Sequence, residues 1–164
     1  MKKLTYVKGN LLTRQDIGII GHQANCQNTF GGGIAKSIRE MFPEAYAADT
    51  AAHNAGMNRP GSISVSHRFP DAVSSIGTIF NLYGQNLNGK GKRQTNYEAL
   101  FNALSTMAKE VCHSSVMTGL TPAVGFPYLI GCGLGGGDWN IVERLIEVAF
   151  EHYDGDVIIV VFVN

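Results

Sequence analysis

Two glycine clusters and a histidine hold most of the chemistry open to this sequence. "NTFGGGIAKS" (28–37) and "GCGLGGGDW" (131–139) each stand just ahead of a helical pattern, and the second packs five glycines into seven residues. Backbone N–H groups with no Cβ in the way can converge on an anion, and the helix N-terminus behind them adds roughly half a positive charge. One such loop suits a phosphate, and two suit a diphosphate. His22 lies three residues before Asn25. An imidazole, with an ordinary pKa near ~6.5, can take or give a proton at neutral pH. Asp138 immediately precedes "WNIVERLIEV", a place where a carboxylate either caps a helix or faces a cleft. Lys90, Lys92 and Arg93 make a short basic loop, a solvated turn or a rim that attracts phosphate.

Several familiar chemistries do not fit. Gly131, Gly133 and Gly136 satisfy the GxGxxG spacing between a strand and a helix, but the next strand ends in "VVFVN" without the acidic residue that a dinucleotide fold places on a ribose. "GGGIAKS" departs from the phosphate loop of NTPases at Phe30 and Ala35. Neither C-x5-R nor DxDxT occurs, so the usual phosphatase nucleophile constellations are missing. Cys26, Cys112 and Cys132 have no CxxC spacing and read as reduced thiols rather than as disulfides or a zinc site. With 13 basic and 13 acidic residues the formal charge is zero, so an anionic ligand must be held locally. The longest apolar run, Val157 to Val163, is far short of a membrane span, and no apolar segment follows the two N-terminal lysines. The expectation is a soluble, cytoplasmic protein with no membrane partner.

The elements that must position these residues alternate in type. Apolar strand patterns occur at 4–7, 17–20, 61–66, 77–83, 123–130 and 156–163. Helical patterns occur at 31–42, 43–55, 97–111 and 138–153, with Pro43 interrupting or restarting a helix. At 164 residues this is one domain, an α/β sheet covered by helices, with both glycine clusters at the same end of the sheet.

The ordered set "KGNLL" (8–12), "IGHQANCQNTFGGGIAKSI" (19–38), "TNYEAL" (95–100) and "GFPYLIGCGLGGGDW" (125–139) resembles a macro domain over nearly the whole chain. The resemblance implies a three-layer α/β/α fold with a mixed, mostly parallel sheet and a cleft for ADP-ribose. It is most similar to the branch holding the ADP-ribose-1''-phosphate phosphatases and the terminal ADP-ribose protein glycohydrolase. Gly9, Asn10 and Leu11 then fall at the adenine end, with Asn10 where an aspartate is more usual, and Phe162 falls where an aromatic stacks on adenine or packs in the core. Asn25 matches the asparagine on the distal ribose. Gly31, Gly32, Gly33 and Ile34 match the first phosphate loop, and Gly131, Cys132, Gly133, Leu134, Gly135 and Gly136 match the second.

Departures from the family pattern bear on catalysis. Ala35 stands where deacylating members carry an aspartate, and Gln85 and Gly135 stand where the glycohydrolase has its lysine and aspartate. A covalent lysine intermediate is not expected, with Lys90 or Lys92 in the nearby loop as the alternatives. The resemblance matches His22 to a histidine of the phosphatase branch. It therefore implies a monomeric enzyme that removes the phosphate of ADP-ribose-1''-phosphate, with His22 as general acid or base, Asn25 orienting the ribose, Asp138 as a second catalytic candidate, and no metal or cofactor. The alternatives are an ADP-ribosyl hydrolase acting on modified protein or nucleic acid, and a reader of ADP-ribose without turnover.

Overall fold

A computed structural model describes residues 1–87 and 92–164. Along the chain it places β1 (Thr5–Gly9), a 3-10 turn (Leu11–Thr13), β2 (Ile19–Gln23), α1 (Gly33–Met41), α2 (Pro43–Asn54), β3 (Ile63–His67), β4 (Thr78–Leu82), α3 (Tyr97–Thr118), β5 (Val124–Pro127), α4 (Trp139–Ala149) and β6 (Val157–Phe162). The ten expected strands and helices are all present, with most ends shifted by a few residues, α3 running two turns beyond its expected end at 111, and the 3-10 turn as the addition. Pro43 restarts a helix rather than kinking one: it occupies the first turn of α2, where its missing N–H costs nothing. α3 is bounded by Asn96, whose side chain accepts from Ala99 N at 3.0 Å, and by Gly119 in the left-handed conformation.

The six strands form one sheet in the order β1-β6-β5-β2-β4-β3. Every neighbouring pair is parallel except β3 with β4. On one face α3 and α4 bury Phe80, Leu82, Val124, Phe126 and Ile159. On the other, α1 and α2 bury Ile20, Ile79, Ile158 and Val160, with Leu11 and Leu12 of the 3-10 turn. A sheet covered on both faces explains why its strands read as continuous apolar runs rather than as alternating ones. The architecture is the three-layer α/β/α arrangement with a mixed, mostly parallel sheet.

No helix among the described residues is long and apolar enough to cross a membrane.

Candidate functional site

The first glycine loop leaves the C-terminal end of β2 and the second leaves the C-terminal end of β5. Because β2 and β5 are neighbours in the sheet, the loops face each other across one cleft of about 630 Å³. Parallel sheets place ligands there, where strand ends and helix N-termini converge. The loops come close to touching: a Cβ on Gly32 would lie 3.0 Å from Leu134 Cδ1.

The first loop is held by side chains that its sequence supplies. Asn25 Nδ2 donates to Thr29 O at 3.0 Å and to Thr29 Oγ1 at 2.8 Å, while Asn25 Oδ1 accepts from Gln27 N at 2.9 Å. α2 grips Asn28, with Tyr46 Oη donating to its carbonyl and Thr50 Oγ1 to its side chain, each at 3.0 Å. Phe30 is buried edge-on against His22 and Tyr46, and the chain then turns outward into Gly31 and Gly32. Gly33 opens α1 at φ +57, which only glycine adopts without strain. Gly32, the N-cap of α1, offers no side chain to the helix, so the first-turn N–H groups are left for a ligand.

The second loop is a knot of its own hydrogen bonds. Cys132 N donates to Leu129 O at 2.8 Å, Gly136 N to Gly133 O at 3.1 Å and Gly137 N to Gly131 O at 2.8 Å. Among the described residues nothing accepts from the N–H groups of Gly133, Leu134 and Gly135, all three of which line the cleft. The N-terminus of α4 differs from that of α1, because Asp138 caps it: Oδ1 accepts from Asn140 N at 2.9 Å. Its positive end is thus satisfied by a carboxylate of the same chain. An anion in the cleft is drawn to the open end of α1 and to the free amides of the second loop.

Asp138 accordingly has the capping role, and it is not among the cleft-lining residues. Asp138→Ala is expected to lower stability by about 1 kcal/mol in denaturant unfolding. Trp139 packs beside it, its ring edge-on to Tyr128 and its Nε1 donating to Tyr6 Oη.

The expected catalytic histidine lies away from the cleft. His22 is fully buried on the α1/α2 face of the sheet, and the cleft-lining neighbour is Gln23. Successive strand residues point to opposite faces, so the side chain that follows the histidine is the one that reaches the cleft. His22 Nε2 bonds Asn81 Oδ1 at 2.7 Å, and Nδ1 has no partner among the described residues. Asn81 continues the chain by donating to Ser64 Oγ, which bonds Tyr83 Oη, which in turn donates to Asp49 Oδ1. Burial holds the imidazole down at about 4 against an ordinary 6.5. Burial keeps the imidazole neutral at pH 7 and away from the cleft.

This shift has a thermodynamic consequence. The native protein takes up the His22 proton only near pH 4, while the unfolded chain takes it up near 6.5, so the site destabilises the fold as pH falls through that window. Asp49, raised by burial, acts in the opposite sense, so a comparison with a variant is needed to isolate the histidine. Between pH 7 and 4.5, the stability of wild type relative to His22→Gln is expected to fall by about 2.5 kcal/mol in urea titrations.

The other expected residues divide. Asn25, Gly31, Gly32, Gly33, Ile34, Gly131, Gly133, Leu134 and Gly135 line the cleft, whereas Cys132 and Gly136 do not. The Cys132 thiol is pushed up to about 11 by burial and lies 3.4 Å from Ile130 O. Gly9 and Phe162 are register partners at the C-terminal end of the parallel β1/β6 pair, the edge of the sheet that also carries the glycine loops, and Phe162 is 66% exposed, so it is a free face rather than a core residue. Asn10 Oδ1 accepts from Leu12 N at 3.0 Å, and the Leu11 side chain is buried in the core. Neither that pair nor Gly9 and Phe162 line the central cleft. Lys92 and Arg93 are exposed beside the second loop, with the Arg93 guanidinium 4.4 Å from the centre of the Tyr97 ring. Lys90 lies outside the described residues. Sequence reasoning gave no role to Gln23 and Thr95, uncharged residues that lie within the quoted "IGHQANCQNTFGGGIAKSI" and "TNYEAL". Among the described residues no cluster of His, Cys, Asp or Glu could hold a metal ion, and no Asp, Glu, His, Lys or Arg lines the cleft.

Known proteins resemble this chain in sequence and fold. No protein-family model matches it. An uncharacterized 17.5 kDa protein of Enterobacteria phage T4 is 29% identical over 144 residues, covering 87% of this chain and 86% of the relative. An ADP-ribose 1''-phosphate phosphatase of Saccharomyces cerevisiae is 26% identical over 179 residues, covering 99% of each chain. One from Scheffersomyces stipitis is 38% identical over a 48-residue stretch that makes up 28% of that protein. Among solved structures, the macrodomain of Mycobacterium tuberculosis DarG superposes with a TM-score of 0.76 at 24% identity, over 98% of both chains. Thermosipho africanus DarTG in complex with ADP-ribose gives 0.76 at 17% identity, over 98% of this chain and 42% of the other.

Proposed function

We propose that this chain, which has the macrodomain fold, binds the ADP-ribosyl group of a modified macromolecule and hydrolyses its bond to the carrier, releasing ADP-ribose. One observation supports the reading above others. Two loops rich in unused backbone N–H groups face each other across a cleft whose described walls hold no charged side chain. That is a cradle for a diphosphate, in which the negative charge comes from the ligand and the partial positive charge from the α1 N-terminus and the second loop. The solved DarTG relative is in complex with ADP-ribose.

Departure of a carrier from the anomeric carbon builds positive charge on the ribose, which the bound diphosphate and neutral amide oxygens stabilise. The described walls offer no acid, base or thiol, so the attacking water forms the new bond to the sugar carbon, the bond to the carrier breaks, and the water's proton passes to the departing carrier. Gln23, Asn25 and Gln85 are the amide side chains on the cleft; each already bonds its own chain, so orienting the ribose and the attacking water falls to their remaining lone pairs and N–H groups. Phe162 and Gly9 are suited to the adenine end, where an exposed ring can stack on a base.

Removal of phosphate from ADP-ribose-1''-phosphate is the second reading, motivated by the end-to-end likeness to the S. cerevisiae phosphatase. Incubating the protein with ADP-ribosylated protein, ADP-ribosylated DNA and ADP-ribose-1''-phosphate separates the possibilities. Free ADP-ribose from either macromolecule is expected. Inorganic phosphate from the third substrate alone would install the phosphatase, and ADP-ribose binding with no turnover would leave a reader.

A further inference from the structure

The second loop is tied to the rest of the cleft by an interior fastening. Gln23, at the end of β2, donates from Nε2 to Gln85 Oε1 at 2.6 Å and to Thr95 Oγ1 at 2.9 Å. Thr95, just ahead of α3 and 2% exposed, passes its hydroxyl proton to Gly131 O at 2.6 Å. The backbone N–H groups of Gln94 and Thr95 both donate to Gly135 O, at 2.8 and 3.0 Å. Gln85 Nε2 donates to Leu87 O at 2.6 Å. Four separate segments therefore meet on two side chains: the ends of β2 and β4, the lead into α3, and the second loop.

The surrounding glycines fit this fastening. A Cβ on Gly84 would collide with Gln23 Oε1, one on Gly131 would sit 3.1 Å from the same atom, and one on Gly135 would collide with Thr95 Oγ1. Part of the glycine content of "GCGLGGG" thus admits Gln23 and Thr95 beneath the loop, while Gly133, with open space around it, is free of that constraint.

We infer that Gln23 and Thr95 are positioning residues: they hold the carbonyls of Gly131 and Gly135 down, so that the N–H groups of Gly133, Leu134 and Gly135 stay presented to the ligand. The inference rests on the reading that a diphosphate lies between the two loops. A preorganised set of donors binds more tightly than one that must be ordered on arrival. Removing the Thr95 hydroxyl leaves Gly131 O without its side-chain donor and Gln23 Nε2 without one acceptor.

The test uses Thr95→Val, nearly equal in shape, and Thr95→Ser, which keeps the hydroxyl. In calorimetry Thr95→Val is expected to weaken ADP-ribose about tenfold. AMP, which lacks the second phosphate and distal ribose, should change less than about twofold, and Thr95→Ser should return ADP-ribose to near the wild-type value. Equal ADP-ribose affinity in folded Thr95→Val, or equal losses for both ligands, would overturn the inference. Amide hydrogen exchange without ligand gives a second, independent reading. The Gly137 N–H, bonded to Gly131 O, should exchange about tenfold faster in Thr95→Val while the β5 amides keep their protection. No acceleration there would overturn the inference by itself. If the wild type fails to bind ADP-ribose, the proposed function falls, and hydrogen exchange alone decides the fastening.

Discussion

Gly135→Ala is expected to abolish high-affinity ADP-ribose binding, weakening it by about a hundredfold or more, and to cost about 1–3 kcal/mol of stability. The new methyl group would collide with Thr95 Oγ1 and stand 2.7 Å from Gly131 O, a backbone atom that cannot swing aside. Relief requires the second loop to lift, which breaks the bonds from Gln94 N and Thr95 N to Gly135 O and moves three cleft-facing amides together. Gly133→Ala, one turn of the same loop away, meets nothing within 4 Å and should leave stability within about 0.5 kcal/mol of wild type. Thermal unfolding of the two variants, followed by calorimetry with ADP-ribose, checks both halves of the contrast. Equal destabilisation by the two would show that the loop is not packed as described.

Asn25→Asp should be nearly as damaging, for an electrostatic reason. The amide donates to Thr29 O and Thr29 Oγ1, and a carboxylate oxygen in its place would face the Thr29 carbonyl with no proton between them. It would also bring a full negative charge to a cleft that, on the proposed function, holds a diphosphate only by partial charges. At separations of a few ångströms and an effective dielectric near 20, that repulsion is on the order of 2–4 kcal/mol, or about a hundredfold or more in affinity. Asn25→Ala loses the loop bonds without adding charge and should bind more tightly than the aspartate variant. Raising the salt concentration should narrow the gap between the two. Titrations of both variants at low and high ionic strength measure this; a gap that does not respond to salt would contradict the electrostatic account.

Much of the fold was legible because its signals are local. Pro43 marked a helix boundary, which the structure makes a start, Asp138 marked a cap or a cleft carboxylate, of which the structure shows the cap, and the apolar runs marked strands covered by helices. The strand order was not legible. Nothing near residues 17–23 or 123–130 announces that these strands are neighbours, yet that adjacency turns two glycine clusters into one cleft. The same two-sided burial hid the direction of His22. With no polar face to give the parity of β2, the end of the strand was readable but not whether residue 22 or 23 lines the cleft, and in the structure it is Gln23. Gln23 and Thr95 left only an indirect trace, the glycines at 84, 131 and 135 that make room for them.

The central claim is that one ADP-ribosyl diphosphate sits between the two loops, and backbone NMR during titration with ADP-ribose tests it most directly. The account predicts that the amides of Gly31–Ile34 and Gly133–Gly135 shift together along one saturation curve, while the Asn140 amide held by the Asp138 cap stays in place. Shifts confined to one loop, or the absence of any at saturating ligand, would contradict it.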